Sequence, residues 1–372
     1  MPFADQLIST GTADGLARAV RTAAPDRSLP ALHAAAARLD GLGLRERADL
    51  LRDALLADLP GDYPELARIV RAARAQDPDF GGWMIWPVTA AVATRAVADG
   101  GPEAYDDAMA LLAELTGLLT AEFAIRTLMR ADLDRALATM LTWTGSDDID
   151  VRRLASEGAR PYLPWSIRVP ELLARPGATV PILDALYRDP SDYVRRSVAN
   201  HLNDLSRDHP ALVVETATRW QAAADDNTAP LVRRALRTLI KQGNPGALAA
   251  LGFTADAGSL QIEAPTLDRD LVGIGEAVEF SATIRNTGAT PARLAIDYVV
   301  HHQKANGAQS AKTFKLTTTT LNPGETLAVR RKHQFRVITT RRYHPGPHAL
   351  ALQVNGIATA TAPFELTAPD QG

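Results

Sequence analysis

The run "VRRSVANHLNDLSRDHP", residues 194–210, places a carboxylate where helix electrostatics disfavours one. Asp204 falls in the last two turns before the proline stop. Unsatisfied carbonyls make that end partially negative, so an acid there costs a few tenths to about 1 kcal/mol. On the same helix Val194, Val198, Leu202 and Leu205 keep the spacing of a buried stripe. That leaves Arg196, Asn200 and Asp204 as an i, i+4, i+8 line on another face. Arg153 with Glu157, and Arg234 with Thr238, occupy the equivalent line in two related segments. Two readings are open. In one, the line is a solvated face laced by i,i+4 pairs worth ~0.2–0.5 kcal/mol each. In the other, arginine forks meet phosphate oxygens while the acids face a positive target. A cationic base, or the sugar cation formed as a glycosidic bond breaks, is such a target.

The elements that must position this line repeat. "VRR" recurs at Val151, Val194 and Val232, at intervals of 43 and 38 residues, and opens "DIDVRRLASEGARP", "DPSDYVRRSVANHLND" and "APLVRRALRTLIKQG". Helix pairs repeating every ~40–47 residues are the mark of HEAT-type solenoids, whose stacked helices offer one continuous concave surface. Residues 1 to about 252 are rich in Ala, Leu and Arg at helical spacing, as in the two runs of "ALHAAAARLDGLGLRERADLLRDALLADLP". From about 260 the texture turns to alternation. "EAVEFSATIRN", "ARLAIDYVVHHQ", "AKTFKLTTTTL", "TLAVRRKHQFRVI" and "HALALQVNG" are predicted strands, punctuated by "NTGATP", "KANG", "NPGE" and "HPGP". A β-sandwich follows. The expected domains are 1–255, an all-α HEAT-like helical-repeat solenoid, and 260–372, an all-β sandwich, joined near "LGFTADAGS".

Composition removes several classes. With no cysteine, disulfides, thiolate zinc sites and cysteine nucleophiles are excluded. The first residues lack a basic stretch followed by an apolar one, and no run approaches ~20 apolar residues, so neither a signal peptide nor a membrane span is expected. The expected location is the cytoplasm. The histidines show no metal-ligand spacing, and no Walker-type glycine loop occurs, so no metal or cofactor is expected. Trp83, Trp86, Trp143 and Trp220 are assigned to the core. A net charge of −3 speaks weakly against a nucleic-acid partner, but it hides an asymmetry. Residues 261–372 hold 12 basic against 9 acidic residues, whereas the remainder holds 28 against 34. Local patches decide binding.

"LTAEFAIR", "VRRLASEGARPYLPW", "DPSDYVRRSVANHLNDLSRDHP" and "RRALRTLIKQGNPGALAALG" together resemble the AlkC-type DNA alkylation-repair glycosylases, with "LPGDYPELARIV" and "WPVTAAV" fitting upstream. "RNTGATPARLAIDYVVHHQKANG" and "TTRRYHPGPHALALQVNG" resemble the immunoglobulin-like domain of one branch of that family. The resemblance spans nearly the whole chain. It implies a HEAT-like-repeat glycosylase of base excision repair, acting as a monomer on alkylated duplex DNA near the bacterial nucleoid. Such an enzyme removes cationic N3-methylated bases, chiefly 3-methyladenine and 3-methylcytosine, without needing to flip the lesion out. Carried over onto this sequence, the catalytic positions fall on Glu122, Glu157, Trp165 and Asp204. Arg153, Arg160, Arg196, Asn200 and Lys241 become candidate DNA contacts.

That chemistry suits a single carboxylate. Glycosidases acting on neutral leaving groups need a general acid as well, but an N3-methylated base already carries the positive charge. Asp204 would stabilise the sugar cation and orient water. Trp165, after Pro161 and Pro164, is expected at a turn or helix start, where its ring could lie against the sugar or simply cap the repeat. Glu122 is expected in the first turn of a helix capped by Thr120, a placement that is electrostatically favourable in itself. Like Glu157, it could also hold water or the lesion's edge. In the second domain Lys332, within "VRRKHQFR", and Arg341 and Arg342, at a Pro-Gly turn, either serve solubility or contact DNA as a clamp. The alternative for the whole chain is a non-catalytic helical-repeat scaffold, which would be indifferent to Asp204 and Trp165.

Overall fold

The computed structural model describes residues 4–253, 257–337 and 342–368. The N-terminal region is all-α and the C-terminal region a β-rich immunoglobulin-like domain, as expected. No strand occurs before Leu260 among the described residues.

The three "VRR" helices are Ile149–Gly158, Asp192–Leu205 and Thr228–Ala235, and they pack side by side in that order. The first two start on side-chain caps: Asp148 accepts from the Asp150 amide at 2.8 Å, and Ser191 accepts from the Tyr193 amide at 3.2 Å. Val151, Val194 and Val232 are buried between them, and so are Val198, Leu202 and Leu205. The first arginine of each of these two copies binds the loop that precedes the second helix. Arg152 Nε donates to Asp189 Oδ2 at 2.7 Å, and Arg195 Nη1 donates to the carbonyls of Asp189 at 2.6 Å and Pro190 at 2.8 Å. The second arginine of each is thereby left for the other face. A motif repeated for packing thus carries a second repeat, of guanidinium groups, along one line.

The strands are β1 (Leu260–Ile262), β2 (Thr266–Leu267), β3 (Leu271–Gly273), β4 (Ala277–Asn286), β5 (Ala292–Gln303), β6 (Gln309–Leu321), β7 (Thr326–Gln334), β8 (Gly346–Val354), β9 (Ile357–Ala358) and β10 (Ala362–Thr367). One sheet joins β1, β2 and β7 to β4; the other runs β3-β10-β8-β5-β6, with β9 on β8. The five long strands coincide with the five predicted ones. The short strands lack the length for alternation to register, and Pro363, a residue disfavoured in strands, stands within β10. Val278, Phe280, Ile284, Leu294, Ile296, Val300, Leu350, Leu352 and Phe364 fill the space between the sheets.

Compact packing divides the chain at 235/236 rather than at 255, where the texture changes. Residues 236–253 pack with the second unit. Gln353 Nε2 donates to the Lys241 carbonyl at 3.1 Å, Arg293 Nη1 donates to the Leu251 carbonyl at 2.9 Å, and the Arg293 guanidinium lies 4.9 Å from the Phe253 ring centroid. Gly243 and Gly356, both at positive φ, bring their backbones so close that a Cβ on Gly243 would sit 2.5 Å from the Gly356 Cα.

One buried histidine joins two "VRR" helices. His201 Nδ1 lies 2.8 Å from the Ser156 carbonyl, which can only accept, so Nδ1 carries the proton and Nε2 accepts from Thr179 Oγ1 at 3.0 Å. Burial holds its pKa down at about 4, below the ordinary value near 6.5. The unfolded chain therefore binds this proton first. His201's contribution is complete above pH 6.5 and is lost as pH falls toward 4, by about 3 kcal/mol in all. His201→Asn, which keeps a donor without the titration, should flatten the pH dependence of stability in that window. Urea melts followed by far-ultraviolet circular dichroism between neutral pH and about 4 measure this; parallel curves for the two proteins would contradict it.

Candidate functional site

Glu122, Arg153, Glu157, Arg160 and Asp204 form one chain of alternating charge within the helical unit. Arg153 Nη1 donates to Glu122 Oε2 at 2.6 Å and Nη2 lies 3.6 Å from Glu157 Oε1. Arg160 Nη1 donates to the same Glu157 oxygen at 2.6 Å. The other edge of Arg160 grips Asp204 as a fork, Nε to Oδ2 at 2.9 Å and Nη2 to Oδ1 at 3.2 Å. Thr120 Oγ1 donates to Glu122 Oε2 at 2.9 Å. Tyr193 offers its ring to Arg153, whose guanidinium carbon is 5.1 Å from the centroid. Glu122 and Glu157 are buried, and 12% of the Asp204 side chain is exposed.

The elements explain the convergence. Glu157 and Arg160 lie at the C-terminal end of helix Ile149–Gly158, and Asp204 at the C-terminal end of the neighbouring helix Asp192–Leu205. Asp204 stands on a helix end as expected, and Arg160 offsets the unfavourable dipole there. Glu122 differs from expectation in one respect. Thr120 Oγ1 does accept from the Glu122 amide at 3.2 Å, but residues 122–124 form a turn and the helix begins at Ile125.

Trp165 lies in a turn, as its prolines suggest, about half exposed (48%) and with φ at +60°. A non-glycine residue in the left-handed region costs on the order of 1–2 kcal/mol. An exposed indole on a strained backbone contributes little to a core. Trp86 and Trp220 are core, by contrast, while Trp83 and Trp143 are half-buried.

The anchor of that turn, Arg126, does not stand out in the sequence. It is fully buried. Its Nε donates to the Ile167 carbonyl at 2.6 Å, and its Nη1 to the carbonyls of Gly158 at 3.0 Å and Arg160 at 2.8 Å. Its Nη2 has no hydrogen-bond partner among the described residues. Burial, with Arg168 and Arg160 nearby, lowers its pKa to about 10. One sequence signal points to it: Arg126 sits among Ile125, Leu128 and Met129, all buried, where a charge is costly.

Arg153 and Arg160, expected to face phosphates, hold the site's carboxylates instead. Arg196 is half-exposed and pairs with Asp192 at 3.1 Å, the i,i+4 arrangement of a solvated face. Asn200 is half-buried between it and Asp204 on the same helix. Lys241 belongs to the second compact unit, where its charge and that of Lys315 oppose the rise of Asp297 to about 6 caused by burial. Lys332 is exposed and 3.6 Å from Glu279. Arg342 is exposed, and Arg341 lies outside the described residues. Among the described residues no group of three or more His, Asp or Glu is placed to hold a metal ion, and no helix is long and apolar enough to cross a membrane.

Residues 261–368 match the family model described as the C-terminal Ig-like domain of the uncharacterised protein YhaZ. Over 325 residues the chain is 34% identical to the uncharacterized protein YhaZ of Bacillus subtilis (strain 168), covering 87% of this chain and 88% of the relative. Among solved structures it is similar to the Pseudomonas fluorescens alkylpurine DNA glycosylase AlkC bound to DNA containing an abasic site analog. That likeness has a TM-score of 0.86 at 36% identity and covers 99% of this chain and 100% of the other. The chain belongs to this family: an AlkC-like DNA-glycosylase fold carrying a YhaZ-type immunoglobulin-like domain at its C-terminus.

Proposed function

We propose that the protein is a DNA glycosylase of base excision repair that hydrolyses the N-glycosidic bond of cationic N3-alkylated bases, 3-methyladenine and 3-methylcytosine, in duplex DNA. The observation that carries this reading is the meeting of three carboxylates at one place beside a turn that displays a tryptophan. Its family likeness to a glycosylase solved on abasic DNA supports it.

The chemistry follows from the charges. As the bond from C1′ to the base stretches, the positive charge of the alkylated base passes to the sugar and the base leaves neutral. No proton has to be delivered. A carboxylate stabilises the cation, and a water oxygen then bonds to C1′ and releases its proton to the carboxylate or to solvent. Asp204 suits this step because Arg160 uses one acceptor site on each of its oxygens, leaving others for water. The arginines hold the acids in place before DNA arrives, which is electrostatic preorganisation. Trp165 adds a ring face for the sugar cation, and Glu122 and Glu157 border the lesion or its water. The lesion need not leave the helix, because no enclosed base-sized pocket is required by this step.

Asp204→Asn should lower single-turnover release of N3-methylated bases by ~10² or more, with binding to abasic-site DNA retained. Trp165→Ala should cost less, roughly 2- to 30-fold, as cation–π effects amount to ~0.5–2 kcal/mol. Near-wild-type release by Asp204→Asn would reject the assignment and favour a non-catalytic scaffold.

The immunoglobulin-like unit would contribute phosphate-binding cations. Lys304, Lys312, Arg342 and His344 border one depression of about 320 Å³, and no acidic side chain lines it among the described residues. Lys332, paired with Glu279, is the weaker candidate. Removing one cation that neutralises a phosphate should flatten the log–log salt dependence of DNA binding by ~0.9. Arg342→Ala combined with Lys312→Ala should therefore weaken binding and reduce the slope by roughly 1.8. An unchanged slope would assign these residues to solubility.

A further inference from the structure

We propose that Arg126 is a positioning residue that seats Trp165 and the Glu157–Arg160 segment in one fixed relation; this rests on the glycosylase reading above. The site is assembled from the stretches that carry Glu122, Glu157 with Arg160, Trp165 and Asp204, and Arg126 ties together the first three. Its own stretch begins four residues earlier with Glu122. Its Nη1 holds the Gly158 and Arg160 carbonyls, at 3.0 Å and 2.8 Å, at the helix end that carries Glu157 and Arg160. Its Nε holds the Ile167 carbonyl at 2.6 Å, two residues past Trp165.

A structural staple of ordinary kind would not take this form. Fully buried arginines are nearly always paired with a carboxylate, because an unpaired buried charge is expensive. Arg126 is fully buried, and the groups that its Nε and Nη1 bind are backbone carbonyls. What a guanidinium supplies here is geometry. Its planar fork addresses separate carbonyl groups in fixed directions at once, which a flexible ammonium cannot do. The turn it pins contains the positive-φ tryptophan. A left-handed non-glycine residue persists only where its surroundings over-determine it. The orientation of the Trp165 ring is thus handed from the Arg126 fork, through Ile167, to the same helix end that aims Glu157 and, by way of Arg160, Asp204.

The test is a double-mutant cycle in the full chain, with Arg126→Lys, Trp165→Ala and the combination. Arg126→Lys should keep binding to abasic-site DNA within a few-fold yet slow single-turnover base release by roughly 10- to 100-fold, the scale of a small misplacement of catalytic groups. Trp165→Ala should cost much less in the Arg126→Lys background than in wild type, because the ring is already out of place. Wild-type release by Arg126→Lys, or strictly additive losses, would overturn the proposal. Arg126→Gln is the second variant should the lysine protein not fold. If neither folds, Arg126 serves stability alone and the proposal is wrong. Wild-type protein is the control on the glycosylase reading: no release there sinks that reading and the role of Arg126 with it.

Discussion

Arg160 is the interaction on which the site depends. One guanidinium binds Glu157 on its own segment and Asp204, 44 residues further along the chain. Carboxylates brought close together repel one another, so Glu122, Glu157 and Asp204 can share one region only if cations lie between them. Arg153 and Arg160 take those places. Removing one partner from a mostly buried set leaves the others uncompensated. The arrangement is accordingly all or nothing, which is what a site needs if its charges are to be fixed before the substrate arrives.

The helical stack supplies the distances. Side-by-side packing of the "VRR" helices brings successive C-terminal ends into register, so residues about one repeat apart meet. The Arg152–Asp189 pair and the His201 bridge from Ser156 to Thr179 lock that register from behind. Their cost in desolvation is offset by hydrogen bonding. Arg153, Glu157 and Asp204 lie on those helices, Arg160 follows the end of the first, and Glu122 comes from the turn before Ile125. Stability and function are separated within the first copy of the motif: Arg152 packs against Asp189, and Arg153 holds Glu122 and Glu157.

Much of this is legible in the sequence, and the gaps have physical causes. Helical periodicity and the "VRR" interval reveal the stack, and alternation reveals the five long strands. The two- and three-residue strands and β10 stay invisible because pairing, rather than pattern, makes them strands. Asp204 announces itself by standing at the wrong end of a helix. Glu157 is legible as the local partner of Arg153, but the other partners of Arg153 and Arg160 cannot be read, since Glu122 and Asp204 are distant in sequence and only packing brings them near. The apolar neighbours of Arg126 hint at its burial, but its role cannot be read because the carbonyls it binds lie 32, 34 and 41 residues away. The packing boundary between the two units is hidden for the same reason: residues 236–253 are helical in texture yet pack with the sheets.

The most direct measurement is to incubate the full chain with methylated duplex DNA and, in parallel, with uracil-containing duplex, and to identify any released base by chromatography. Hydrolysis driven by carboxylates without a dedicated general acid should release free 3-methyladenine or 3-methylcytosine and leave uracil in place. No released base from methylated DNA, or uracil released as readily as the methylated bases, would contradict it.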